Sequence, residues 1–214
     1  MKNNEILAQF NAETDVEIID TKTVFKGFFQ VDEYQFKHKL FDGGWSEVVS
    51  REVFERGNAV VVLPYDPVTH QVVLIEQIRL PAIGTTNSVW LLELVAGMIA
   101  ADEVAEEVAH RELMEETGLS ATEMHFVNSF LATPGGSSER FYFYWAKVDA
   151  SKAQGIHGLE YEHEDIKVHV VDFDVAMDMV NNGRIDNAST VIGLQWLALN
   201  LDKVTSKPFN QHTG

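Results

Sequence analysis

No cysteine occurs in the 214 residues, which excludes disulfides, thiolate zinc sites and cysteine nucleophiles. Positive charge is scarce: 16 Lys and Arg stand against 33 Asp and Glu, a formal net charge of −17. A polynucleotide binder ordinarily carries a basic face, so nucleic acid is not an expected partner. Long apolar runs are missing as well. The longest, VWLLELVAGMIAA, is broken by Glu93 and is too short to span a bilayer. MKNNEILAQF holds no apolar segment of the signal-peptide kind. A cytoplasmic chain with no membrane partner is the expectation. What remains is ordinary globular usage, 45% hydrophobic and 23% charged, suited to one medium domain with or without a small appendage. The net charge still permits a small phosphorylated ligand. Charges beyond roughly 8 Å are screened at physiological salt, so local arginines and bound cations dominate.

The first sixty residues read as strands: VEIID, TVFKGFFQVDEYQFKHKLF and, after the turn Asp42-Gly43-Gly44, WSEVVSREVFERG. Tyr34, Phe36, His38 and Leu40 alternate with polar residues, the period of a half-buried strand. Few apolar residues are available here, so this section is expected to pack on something else, a partner subunit being one candidate. AVVVLPYD and QVVLIEQIRL follow as a hairpin of buried strands, and VWLLELVAG as one more strand ending at Gly97. A helix is expected over residues 102–117, with Asp102 as its N-cap. Strands at MHFVNSFLA, RFYFYWAKV and DIKVHVVDF come next, and helices at DVAMDMVNN, stopped by Gly183, and ASTVIGLQWLALN close the chain. The class is mixed α/β, α+β or a layered sandwich.

The helix after Gly97 carries the chemistry. At about 100° per residue from Val104, the apolar Val108, Ala105 and Ala109 fall at roughly 40°, 100° and 140°. Glu115, Glu112 and Glu116 fall inside the same arc, at roughly 20°, 80° and 120°, whereas Glu103, Glu106, Glu107 and His110 lie on the opposite side and read as solvated. Carboxylates on a core-facing stripe cost at least ~2 kcal/mol each unless neutralised, and like charges at i, i+4 repel. Arg111 points to the edge of the arc and is expected to neutralise one at most. Clustered carboxylate oxygens suit Mg²⁺ or Mn²⁺, so a divalent metal site is the better account.

Gly97, five residues, Glu103, seven residues, then Arg111-Glu112-Leu113-Met114-Glu115-Glu116-Thr117-Gly118-Leu119 resembles the Nudix box, spanning residues 97–119 with every fixed position filled. The resemblance implies a Nudix α/β/α sandwich and Mg²⁺-dependent hydrolysis of a nucleoside diphosphate linked to another group. FERGNAVVVLPYDP, VVLIEQIRL, WLLELVAGMI, LATPGGSSER, EHEDIKVHVV and GRIDNASTVIGLQWLAL extend the likeness over residues 16 to 200 and resemble the bacterial ADP-ribose pyrophosphatase branch. Pro134, in TPGGSSER, is the feature that most marks ADP-ribose use.

Carried over by position, the resemblance implies metal ligation by Glu112, Glu116, the backbone carbonyl of Ala96 and Glu164, with two or three Mg²⁺ (or Mn²⁺) ions. Glu162 matches the catalytic base. On residues alone EYEHEDI is an acidic surface loop, whose neighbouring glycines in QGIHG permit movement; the resemblance gives it a catalytic reading, with His163 left as a surface residue. Arg79, Met98, Gly135 and Glu139 match positions lining an ADP-ribose pocket. Phe28, Arg51 and Glu52 match positions that swapped N-terminal strands supply to the other subunit. An aromatic and a guanidinium suit adenine, and Arg79 or Arg56 suits phosphate as a bidentate fork, although Arg51 and Arg56 also read as strand-edge charges.

The implied organisation is an antiparallel β subdomain at residues 1–57, swapped in a homodimer, and a catalytic domain at 58–214. The implied reaction is hydrolysis of ADP-ribose to AMP and ribose 5-phosphate. Other Nudix substrates, such as GDP-mannose or dinucleoside polyphosphates, are the main alternative, followed by a Nudix protein that binds ADP-ribose without cleaving it. NADH-preferring relatives with four-cysteine zinc sites and the cysteine-dependent isopentenyl diphosphate isomerases do not fit a chain without cysteine.

Overall fold

The structure, a computed structural model, describes residues 9–205, the side chain of Glu162 excepted. The chain forms two compact units. One takes the N-terminal part through Arg56 together with Thr133–Glu139; the other takes Gly57–Ala132 and the chain from Arg140.

The first unit is a three-stranded antiparallel meander, β1 (Val16–Lys26), β2 (Gln30–His38) and β3 (Val49–Glu55), in that order. A single helical turn, α1 (Ala12–Asp15), precedes it, capped by Asn11, whose side-chain oxygen accepts from the N–H groups of Glu13 and Thr14. The long stretch expected as one strand is divided at Gly27, whose N–H donates to the carbonyl of Phe29 at 2.8 Å. Segment 133–139 joins this unit across the sequence. The N–H of Phe54 donates to the carbonyl of Gly136 at 2.8 Å, and the Ser137 hydroxyl donates to the carbonyl of Phe54 at 2.9 Å. Such long-range pairing cannot be read from a linear boundary.

In the second unit eight strands share one sheet. Its main path runs β10 (Ile156–His157), β11 (Ile166–Asp172), β5 (Gln71–Ile78), β4 (Asn58–Asp66), β9 (Arg140–Lys147), β8 (Glu123–Leu131). Strand β4 lies at its centre, parallel to β9, and is buried along almost its whole length, which is why it reads as an unbroken β-branched run. The pleat then sorts its side chains. Val60 and Val62 face α2 (Ala105–Thr117), packing with Val108, Ala109 and Leu113. Val61 and Leu63 face α3 (Phe173–Asn181) and α4 (Ala188–Thr205), packing with Ala176, Leu194 and Leu197. The result is the expected helix–sheet–helix sandwich, with α4 continuing to Thr205, past the residue 200 expected for it.

Two local expectations change. VWLLELVAG is not one strand: β6 (Trp90–Glu93) pairs with β5, and β7 (Val95–Ile99) pairs with β4. At the switch, Leu94 donates its N–H to the Thr190 hydroxyl at 2.9 Å, and the Leu92 carbonyl accepts from Asn187 at 2.7 Å. Side chains from α4 and its approach thus satisfy backbone groups that one ladder would have used. The second change is at the start of α2. Its N-cap is Val104, without a side-chain cap bond, and Asp102 lies in the preceding turn. Glu103 organises that turn, accepting from the N–H of Ala100 at 2.9 Å and from Arg111 Nη2 at 3.3 Å.

Candidate active site

The buried stripe of α2 comprises Val108, Ala109, Leu113, Glu116 and Thr117, with Val104 exposed. On the same angular count the stripe is centred near ~130° rather than ~70°. That rotation separates the three glutamates. Glu116 is at the centre and only 3% exposed. Glu112 is close beside it, its side chain 13% exposed. Glu115 lies at the edge, bonded to Arg111 at 3.2 Å. Arg111 does more than expected, because its guanidinium also meets Glu112 at 2.9 Å and Glu103 at 3.3 Å. Glu106, Glu107 and His110 face solvent as anticipated.

Glu116 is left with the N–H of Ala96, which donates to its Oε2 at 3.1 Å; among the described residues it has no ion pair. Burial, with Glu112 and Glu164 adding repulsion, raises its carboxyl well above the ordinary value. Burial likewise pushes Glu112 up to about 7, against the opposing pull of Arg111. Glu112 fits closely against β7: a side-chain carbon at Gly97 would lie 2.0 Å from its Cδ and Oε1. The box glycine therefore makes room for a carboxylate. At the other end of α2, Gly118 caps the helix with a left-handed φ of 71°.

Glu164 reaches the same region on the segment between β10 and β11. Its Oε2 accepts from the N–H of Leu159 at 3.2 Å, and its charge is felt by both Glu112 and Glu116. Among the described residues no three acidic or histidine side chains close on a common point as metal ligands. Each of the three carboxylates is instead engaged by a protein donor: Arg111, the Ala96 N–H or the Leu159 N–H. Hard oxygens, deep burial and uncompensated negative charge are nevertheless the donor set that a divalent cation suits, and the residues fit that group. Glu162 falls at the end of the 3-10 turn Glu160–Glu162, and its side chain lies outside the described positions.

Arg79 directly follows β5, and its Nε donates to Glu93 Oε2 at 2.8 Å. Met98 is partly exposed on β7, opposite Ala59 of β4. The remaining expected residues belong to the first unit. There Arg56 pairs with the buried Glu139 at 3.2 Å and lies over the Phe29 ring at 5.2 Å. Burial raises the Glu139 carboxyl and Arg56 opposes the rise. Phe28 is 88% exposed and meets Phe29 edge-on at 4.8 Å. Arg51 and Glu52 are exposed on β3, where Arg51 Nη1 donates to the Ser50 carbonyl at 2.7 Å. Gly135 sits in the turn that Ser137 closes on the Thr133 carbonyl. In the sequence Glu93 stands only as a break in an apolar run, Gln77 carries no signal, and neither is expected as a site residue there.

A helix–sheet–helix sandwich in which α2 sets Glu112 and Glu116 side by side against a glycine-bearing strand presents a carboxylate site suited to a divalent cation. The NUDIX domain matches residues 55–190. An ADP-ribose pyrophosphatase of Escherichia coli (strain K12) is 55% identical over 185 residues, 86% of this chain and 88% of that protein. The ADP-ribose pyrophosphatase of Haemophilus influenzae is 46% identical over 195 residues, 90% of each. A GDP-mannose pyrophosphatase of Pectobacterium atrosepticum is 33% identical over 181 residues, 84% of this chain and 92% of that protein. A crystal structure described as an ADP compounds hydrolase shares the fold, with a TM-score of 0.65 at 22% identity over 87% of this chain and 96% of that one. The chain belongs to the Nudix hydrolase family.

Proposed function

We propose that the chain is an ADP-ribose pyrophosphatase, hydrolysing ADP-ribose to AMP and ribose 5-phosphate with Mg²⁺. The observation that carries the reading is the Glu112–Glu116 pair on α2, Glu116 buried without an ion pair among the described residues and Glu112 half-buried against Arg111, in a chain 55% identical to ADP-ribose pyrophosphatases but 33% identical to a GDP-mannose pyrophosphatase. Glu112, Glu116, Glu164 and the Ala96 carbonyl would hold the divalent ions. When bound, these ions polarise the pyrophosphate oxygens and lower the pKa of a water. The chain's own residues do the rest. Arg79 grips a phosphate and offsets its developing charge. Met98, Gly135 and Glu139 would contact ADP-ribose. Glu162 accepts the proton of the attacking water, worth perhaps 10²–10⁴-fold.

A homodimer completes this reading, with residues 1–57 as its dimerisation subdomain and 58–214 as the catalytic domain. All eleven residues of β1 are exposed, Ile18, Ile19, Val24 and Phe25 among them, an apolar edge that a second copy would cover. Phe28, Arg51, Glu52 and Arg56 would then serve substrate binding from that subdomain. Among the described residues no helix is long and apolar enough to cross a membrane, and a chain without cysteine suits the reducing cytoplasm.

The test is product analysis with Mg²⁺ and a panel of ADP-ribose, GDP-mannose, NADH and diadenosine polyphosphates. AMP and ribose 5-phosphate from ADP-ribose are expected; no AMP overturns the assignment. Glu162→Gln should keep ADP-ribose binding and lose turnover, whereas a rate near wild type removes the base from Glu162.

A further inference from the structure

Glu93 is a charge in an otherwise apolar strand. It ends β6 opposite Ile75 of β5, and its side chain is only 13% exposed. Burial lifts its carboxyl above the ordinary range even though Arg79 and Gln77 both bond to it. Gln77 is itself buried. An apolar residue of similar volume would often serve stability as well as a buried ion pair, or better, so the pair does not explain itself as a fold element.

Its geometry does explain it. The backbone N–H of Arg79 donates to the Val89 carbonyl at 2.7 Å, which fixes the base of the side chain. Glu93 then takes Nε at 2.8 Å, which fixes the plane of the guanidinium. Among the described residues Nη1 and Nη2 carry no hydrogen bond, so the forked edge that matches a phosphate is left to the ligand. Arg79 lies within electrostatic reach of the glutamate cluster, its charge opposing the rise of the Glu116 carboxyl. A flexible arginine of four torsions becomes a fixed fork.

We infer that Glu93 is the positioning residue for Arg79, holding its Nε so that the Nη edge meets the substrate pyrophosphate, with Gln77 steadying the carboxylate. The inference rests on the reading of Arg79 as a phosphate contact in ADP-ribose hydrolysis. Lysine in place of Arg79 cannot use the device, because it has no second edge to present once one donor is held.

The test compares R79A, E93L, E93Q and R79A/E93L in AMP release from ADP-ribose at saturating Mg²⁺, with kcat and KM separated and each melting curve recorded. Leucine preserves volume and removes the acceptor; glutamine keeps an oxygen for Nε. R79A should lower kcat/KM by about 10²-fold, the usual loss for a charge-stabilising donor. E93L should lower it by about 10-fold or more, E93Q should recover to within about 5-fold of wild type, and the double variant should match R79A, because groups acting as a unit are non-additive. Losses that multiply in R79A/E93L, or an E93L rate equal to wild type, overturn the role of Glu93. If E93L does not fold, E93M and R79A/E93M, which also remove the acceptor at similar volume, take its place with the same outcomes. An R79A rate near wild type instead overturns the phosphate role of Arg79, whatever Glu93 does.

Discussion

Gly97 should be replaceable by alanine without loss of fold and with nearly complete loss of activity. The backbone permits the change, because Gly97 sits in β7, paired with Val60 of β4, and needs no left-handed φ. The obstacle is one side chain. The added methyl would lie 2.0 Å from Cδ and Oε1 of Glu112 and 2.4 Å from its Cγ, where ordinary contact begins at 3.4 Å. The carboxylate must retreat by about 1.4 Å, and a misplacement of that order costs roughly 10²-fold in rate. Stability should hardly move. The group displaced is the far end of a long side chain, and Gly→Ala at a compatible position returns about 0.4–1 kcal/mol through the unfolded state. The assay is AMP release at saturating Mg²⁺ beside a thermal melt. Activity of G97A within about threefold of wild type would refute the argument, as would a large drop in Tm, since each contradicts the claim that the methyl acts on Glu112 alone.

Metal-free protein should lose stability as pH rises from about 4.5 to 7, because Glu112 titrates at about 7 when folded and holds a proton there that the unfolded chain releases. Its full contribution is about 3 kcal/mol; E112Q should make the melting profile shallower over that window, the raised Glu116 carboxyl keeping part of the slope, and an unchanged slope in E112Q sinks the assignment. Gly118→Ala should cost at least about 1 kcal/mol for its left-handed φ, and more because the methyl meets His157 Cε1 at 2.8 Å. Comparing the melts of G118A, H157A and the double variant checks this, with partial relief expected in the double.

The box was legible because its information is local: one strand end, one helix and one cap lie within 23 consecutive positions, residues 97–119. Helical periodicity placed Glu112 and Glu116 inward and missed the true centre of the stripe, because the count began at Val104, which the turn built by Glu103 leaves exposed. Other features depend on partners far along the chain. The strand switch at Leu94 needs Thr190, and the addition of 133–139 to the first unit needs Phe54. No window of neighbouring residues contains either. Glu93 is the intermediate case, since its oddity was visible in the sequence but its meaning required the β5–β6 register that brings Arg79 to it.

Charge alone sets the order in which this site can work. Glu93, Glu103, Glu112, Glu115, Glu116 and Glu164 share the candidate site of the second unit with two guanidinium groups, those of Arg79 and Arg111. Arg111 is taken up by three carboxylates and Arg79 is held by a fourth, so the field left over turns negative as Glu112 and Glu116 give up their protons. A pyrophosphate brought there alone meets repulsion in a region where burial weakens screening. Added cations reverse that sign, and each anionic oxygen of the substrate in turn strengthens the hold on the cations. On the proposed assignment ion and substrate binding are positively coupled, and linkage requires the coupling to be equal in both directions. The surplus of acid that looks unsuited to an anionic substrate is what makes that substrate and its metal enter together.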